Sequence, residues 1–305
     1  MGLLEAIILA VLAASTPLLL AASGELVVER AGVLNLGIEG MMIVGAACGF
    51  AGAHFTGSTF VGALFGILAG TALSLVFALM TLGLAVNQVA AGLALTILGI
   101  GISGLIGAGF VGERIATAPH LFIPGLTTLP FIGRIVFGED PFVYFSLALI
   151  AGIYYFLYRT RAGLILRAVG DNHVSAHALG YPVLRIRMVA VLFGGACAGL
   201  AGSYLPLAYT PFFVPGMTAG RGWIALALVV FASWRPARLV IGAYLFGAVT
   251  ILQLHAQGWG VGVPSQLMSA LPYLATVIVL VLISRARTGG STGPATLGTV
   301  FVPDR

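Results

Sequence analysis

Apolar residues run along this chain in long stretches separated by short polar ones. The stretches fall near residues 3–22, 40–56, 59–80, 88–109, 142–158, 188–209, 222–233, 239–255 and 266–284. A helix that crosses a bilayer needs about 20 apolar residues, with a range of roughly 17–25. Most of the stretches meet that length, whereas 40–56 is marginal and 222–233 is too short. The pattern predicts an all-α polytopic membrane protein with about 8–10 transmembrane helices, some short or broken. A broken helix survives at membrane depth only where protein or a wet cavity satisfies its backbone, and such breaks mark transport routes.

Composition supports lipid as the solvent. Of 305 residues, 60% are hydrophobic and 8% charged, against about 25% charged in a soluble domain. The 43 glycines suit helices that approach closely in a bilayer. Cys48 and Cys197 both lie in apolar stretches and read as small buried side chains. Residues Met1–Ala22 lack a basic leading region, so a retained first span is expected in place of a cleaved signal.

Charge then orients the chain. All 14 cationic side chains are arginine. Five of them, Arg159, Arg161, Arg167, Arg185 and Arg187, sit in one polar stretch. If loop 159–187 is cytoplasmic and spans alternate, Arg30, Arg235, Arg238, Arg285, Arg287 and Arg305 also fall inside. Only Arg114, Arg134 and Arg221 then fall outside, which is the positive-inside arrangement. Nine crossings put the amino terminus outside and the carboxyl terminus in the cytoplasm. The net charge of +5 therefore reflects topology, with no nucleic-acid partner implied. Residues 1–287 form the expected transmembrane domain. The outer loop 110–141 is expected to hold short helices. Residues 288–305, rich in Gly, Ser, Thr and Pro, are expected to be a disordered cytoplasmic tail.

Within loop 159–187 the sequence punctuates a short helix. Asp171 or Asn172 can cap its start, Gly180 supplies a left-handed stop, and Pro182 prevents continuation. Between them lie His173, Ser175, Ala176, His177, Ala178 and Leu179. Such a helix suits a partner's groove; an ordinary capped loop helix fits the same residues. Asn35 and Glu39 open the second apolar stretch, four residues apart, so a helix would set them on one face toward a polar solute. Alternatively, Glu39 sits at the interface and pairs with Arg30. Asn87 and Gln88 open a later span, where they line the pathway or bond between helices. Trp223 begins the short stretch and either stacks on a ring-shaped solute or belongs to an interfacial belt. Phe212 and Phe213 in the Pro211–Pro215 turn admit a gating role or a belt role.

Two motif matches are declined. Gly99-Ile-Gly-Ile-Ser-Gly104 fits a dinucleotide pattern, but it lies inside a span with no preceding strand. Ser103 in the same run resembles an intramembrane serine protease motif, and His255 is the only base it suggests; a glycine face for packing, as at Gly62, Gly66 and Gly70, fits better.

The segments 29–42, 87–92, 167–202 and 222–230, in that order, resemble the permease subunits of ABC importers of the branched-chain amino acid, simple sugar and nucleoside class. Segment 29–42 is similar to the nucleoside-type branch, which implies a nucleoside or purine-like solute, with sugars and branched-chain amino acids as the alternatives. The resemblance implies that the Asp171–Gly180 helix is the coupling helix. Its implied partners are an ABC ATPase subunit, a second permease subunit, an extracytoplasmic binding protein and a small polar solute. It also implies a bacterial plasma membrane. His173, Val174 and His177 stand where that class commonly has proline, an acid and arginine. A P-loop needs a lysine, and the chain has none. No cofactor is expected to bind directly, and ATP would be used by the partner subunit. The rival classes are a secondary transporter, expected to carry ionisable groups at mid-span, and the intramembrane protease already declined.

Overall fold

The computed structural model describes residues 2–121, 124, 127, 132–258, 267, 270, 271, 274, 277, 278, 281 and 293–302. Among them the chain is helical, and seven helices are long and apolar enough to cross a membrane. The elements are α1 (Leu3–Arg30), α2 (Ile38–Thr56), α3 (Thr59–Ala78), α4 (Gln88–Gly107), α5 (Ile132–Phe137), α6 (Pro141–Arg159), α7 (Arg161–Asp171), α8 (His173–Ala178), α9 (Val183–Tyr204), α10 (Arg221–Phe231) and α11 (Pro236–Gly258). The expected span at 266–284 lies largely outside the described residues. The outer loop does contain a short helix, α5.

Local chemistry sets the helix ends. Ser58, Asp140 and Thr160 accept backbone N–H bonds at the starts of α3, α6 and α7, each satisfying a donor that has no partner within its helix. Pro141 opens α6, where its missing N–H removes nothing.

The first helix is the central post. Every residue from Ala14 to Glu29 is buried, and α1 packs against α6, α9, α10 and α11. Ser15 and Thr16 survive there by donating back to the carbonyls of Val11 and Leu12. Beside it α2 packs on α3, α4 and α9. Their contact surfaces are glycine-rich: a Cβ on Gly45 would lie 2.6 Å from the Gly199 Cα, and one on Gly40 would lie 2.7 Å from the Leu95 carbonyl oxygen. Small residues let helices meet backbone to backbone where lipid offers no hydrophobic drive between them. Gly62, Gly66 and Gly70 of α3 face α2 and α9 in the same way. Gly99 of α4 faces Gly40, and Ser103 donates to the Ile100 carbonyl within its own helix, which accords with the packing reading of that run.

Two helices start inside the bundle. The 31–37 connection is mostly buried, so α2 begins beside Leu95 and Thr96, about 12 Å along α4 from its start at 1.5 Å per residue. Helix α10 has only 11 residues, about 16 Å, half the hydrocarbon thickness. The rest of that crossing is the irregular 210–220 segment, which runs from Phe213, packed on Phe50, down to Glu39 at the start of α2.

One end of the bundle gathers α7, α8, the end of α1, the start of α4, the 232–235 turn and the tail. Residues 293–302, expected to be disordered, are packed there. Thr296 bonds the Gly170 carbonyl through both N and Oγ1, Gly298 N donates to Gly32 O, and Phe301 is 9% exposed. Composition concealed this because the tail's partners, the Gly170 and Gly32 carbonyls and the Arg187 and Gln88 side chains, lie more than 100 residues away in sequence. Arg30 and Arg187 lie at this end, and Arg114, beside Phe212 and the end of α2, lies at the other.

Candidate functional site

Glu39 stands at the centre of the polar interior. It is 6% exposed and occupies the first turn of α2. Its carboxylate accepts from Thr218 Oγ1 at 2.6 Å and Gly220 N at 2.9 Å on one oxygen, and from Gly222 N at 2.7 Å on the other. The last two donors are at the start of α10. The anion thus supplies both the missing hydrogen-bond partners and the charge that a helix N-terminus favours. Gly222 is required by contact: a Cβ there would lie 2.6 Å from the Glu39 Cα. The site is a junction of two helices that begin at membrane depth, tied by one carboxylate.

The other expected pathway residues separate around it. Asn35 is not on a helix face with Glu39; it precedes α2, is fully buried, and folds back so that its Oδ1 accepts from Gly37 N at 3.0 Å. Its own N–H donates to Glu25 Oε1 at 3.3 Å. The pairing of Glu39 with Arg30 does not occur, since Arg30 donates through Nε and Nη2 to the Trp234 carbonyl. Asn87 is an exposed cap whose Oδ1 accepts from Ala90 N. Gln88 is 2% exposed and bridges, taking Leu34 N on Oε1 at 2.8 Å and donating to Thr299 O at 3.5 Å. Asn87 thus caps α4, and Gln88 ties the α1–α2 connection to residues 293–302. Trp223, the residue after Gly222 on α10, is 48% exposed. Arg221 donates to the Met217 and Thr218 carbonyls beside the same junction.

The α8 end carries the second constellation. Asn172, and not Asp171, caps α8: its Oδ1 accepts from Ser175 N at 2.9 Å, while Asp171 ends α7. The far end closes with Gly180 N donating to His177 O and Tyr181 N to Ala176 O, Gly180 standing at φ +85°. That pair of bonds around a left-handed residue is a complete helix stop. Ala176 faces inward, and Val174 and Leu179 are 64% and 77% exposed. Ser175, His177 and Ala178 are exposed beside them. His173 turns inward, and its Nδ1 lies 3.1 Å from Arg187 Nη2. Burial and then the adjacent Arg187 guanidinium hold its imidazole below the ordinary histidine range, so the neutral ring presents a lone pair to the arginine.

Several contributing residues carry no signal in the sequence. Arg187 reads there as a charge at a membrane boundary, yet it is fully buried and bonds three segments outside its own helix. Thr218, Gly220 and Gly222 are found only through Glu39. Glu29 accepts from Trp234 Nε1 at 2.5 Å, which ties α1 to the end of α10. Of the cavities, a groove of about 890 Å³ between α6, α7 and α9 has an almost wholly apolar wall and includes none of the polar junction residues. Tyr181 and Arg185 are the polar side chains on its lining. Among the described residues no group of acids, histidines and cysteines could hold a metal ion.

The sequence profile of the branched-chain amino acid transport system permease component matches residues 7–283. The chain is 44% identical over 289 residues to a putative glucose ABC transporter permease of Haloferax volcanii, covering 88% of each protein. It is 31% identical to a nucleoside ABC transporter permease of Lactococcus lactis, covering 92% of each. It is 29% identical to a guanosine ABC transporter permease of Bacillus subtilis, over 91% of this chain and 92% of that one.

Proposed function

The chain belongs to the branched-chain amino acid transport permease family of ABC transporters, and from that membership we propose that it forms the translocation pathway of an importer for a neutral sugar or nucleoside. The observation that carries the reading is the Glu39 junction, where α2 and α10 both begin at membrane depth. Discontinuous helices that start near mid-membrane are where transporters place polar solutes, because helix ends expose backbone groups there. The Glu39 carboxylate already accepts from Thr218, Gly220 and Gly222, so it is engaged within the protein and does not stand free to recruit a cation, which favours an uncharged solute.

In this reading α8 docks in an ABC ATPase subunit with Val174, Ser175, Ala178 and Leu179 outward. The arginine-rich end is cytoplasmic, and Arg114 faces the binding protein's side. A second permease subunit completes the pathway opposite Trp223. ATP binding favours one arrangement of the paired permeases over the other, and only that differential affinity drives the change. The relatives named for glucose and for nucleosides support a solute with a hydroxylated ring.

The test is reconstitution of the chain with its ATPase, permease and binding-protein partners in proteoliposomes. Labelled glucose and guanosine uptake should require ATP inside, and one solute should outcompete the other. Uptake by this chain alone under a proton or sodium gradient, with no ATP dependence, would overturn the reading in favour of a secondary transporter.

A further inference from the structure

The carboxyl-terminal residues 293–302 lie between α8 and the α1–α2 connection and touch both. Phe301 packs its ring 5.0 Å from that of His173 and 5.4 Å from that of His177. It shares a buried cluster with Val169, Ala176 and Val183. Ala176 is the inward residue of α8, so the helix rests on the tail.

Arg187 fastens the other side. Its Nε donates to Ala31 O at 3.0 Å, its Nη1 to Thr299 O at 3.2 Å, and its Nη2 to Thr296 Oγ1 at 3.1 Å and toward His173 Nδ1 at 3.1 Å. Thr296 Oγ1 in turn donates to Gly170 O at 2.6 Å. One guanidinium thereby joins α9, α8, the tail and the α1–α2 connection. Arginine suits this position because its planar fork offers five donors in fixed directions. Gly32, at φ +86°, lets the connection come this close: a Cβ there would lie 2.7 Å from Arg187 Nη2 and 2.8 Å from Thr296 Oγ1.

From Ala31 the chain runs through eight residues to Glu39. The path is stiffened by Val33 N to Val28 O, Asn35 N to Glu25 Oε1, Gln88 Oε1 on Leu34 N, and Asn35 Oδ1 on Gly37 N. A packed, fully bonded segment transmits displacement because it has no soft degree of freedom to absorb it.

We propose that residues 293–302 are a working strap of the coupling apparatus, which with Arg187 clamps α8 to the α1–α2 connection and delivers its displacement to Glu39 and the start of α10. This rests on the reading of α8 as the ATPase contact. The strap is not a passive cover, because its bonds go to the two segments that must move together.

The test uses the whole transporter in proteoliposomes. Thr296→Val keeps the side-chain volume and removes the hydroxyl that links Arg187 to Gly170, whereas Thr296→Ser keeps it. Phe301→Ala removes the support beneath α8. With Thr296→Val and Phe301→Ala, the ATPase subunit should still copurify and basal hydrolysis should persist. Uptake and its stimulation by loaded binding protein should fall about tenfold, the scale of a typical coupling energy, and Thr296→Ser should restore both. Wild-type uptake in both Thr296→Val and Phe301→Ala would overturn the proposal. So would loss of the ATPase subunit from both, which would make the strap an assembly element. Failure of the wild-type chain to bind any ATPase would instead strike the functional reading itself.

Discussion

Replacing Glu39 by alanine should disrupt the junction more than any other single polar substitution. The variant removes the acceptor for Thr218 Oγ1, Gly220 N and Gly222 N. Each buried backbone N–H left without a partner costs about 1–3 kcal/mol, and two are orphaned. Loss of an anion at a helix N-terminus adds roughly 0.3–1 kcal/mol, more where the site is partly buried. A total of about 2–7 kcal/mol follows if no water replaces the carboxylate. Glu39→Gln should cost less, about 1–3 kcal/mol, because one carbonyl oxygen remains to accept while the amide NH₂ confronts one N–H. The assay is unfolding in mixed micelles followed by tryptophan fluorescence, since Trp223 sits in the first turn of α10 and Trp234 just beyond its end. The expected order of stability is wild type, then Gln, then Ala. If alanine lay within about 1 kcal/mol of wild type, the carboxylate would not be the anchor of α10, because no buried pair of orphaned donors is that cheap.

Other outcomes follow from the same geometry. Gly180→Val should strain the α8 stop by about 1–2 kcal/mol, because a β-branched residue resists φ > 0, and should raise ATP hydrolysis per solute imported; an unchanged ratio would refute the stop's role. Gly45→Val should cost about 1–3 kcal/mol or more by forcing α2 away from Gly199, read as a lower melting temperature in detergent. Burial, with the neighbouring Asp140 charge adding, pushes the Glu139 carboxyl up to about 7 from an ordinary value of 4.5. Between those values the folded state holds the proton more tightly than the unfolded one, so stability should fall as pH rises from 4.5 through 7 and level off above. Glu139→Gln should flatten that slope, and a slope that survives the substitution would assign it to another group.

Much of the bundle was legible because its causes are local. Each of the seven long helices falls on an apolar stretch, five of them to within three residues, and α8 is read from Asn172 and Gly180, whose cap and stop bonds reach no further than five residues. The glycine face of α3 is legible for the same reason, since a four-residue spacing alone places it on one side. The ends of α1 and α9 are harder to read: α1 runs eight residues past its apolar stretch to Arg30 and α9 starts five residues before its own at Val183, because polar residues such as Glu25, Glu29 and Arg187 are buried there by packing.

The polar site was legible only in part. Glu39 stands out as a charge in an apolar stretch, but a sequence does not name the partner of a charge, and the nearest cation, Arg30, is the wrong one. Its donors are 179–183 residues away, brought to it by the packing of α10 on α2. Arg187 likewise meets Ala31 across 156 residues and the tail across 109–112. By itself, then, the sequence determined which segments prefer lipid, where short helices start and stop, and which faces can approach closely, since these depend on composition and on bonds within a turn or two. The tertiary structure decided which buried polar groups satisfy one another, and with that the junction at Glu39, the hub at Arg187 and the seating of the tail. A buried charge or carbonyl must find its partner wherever the packed backbone brings one within about 3 Å, and that distance is set by the assembled bundle.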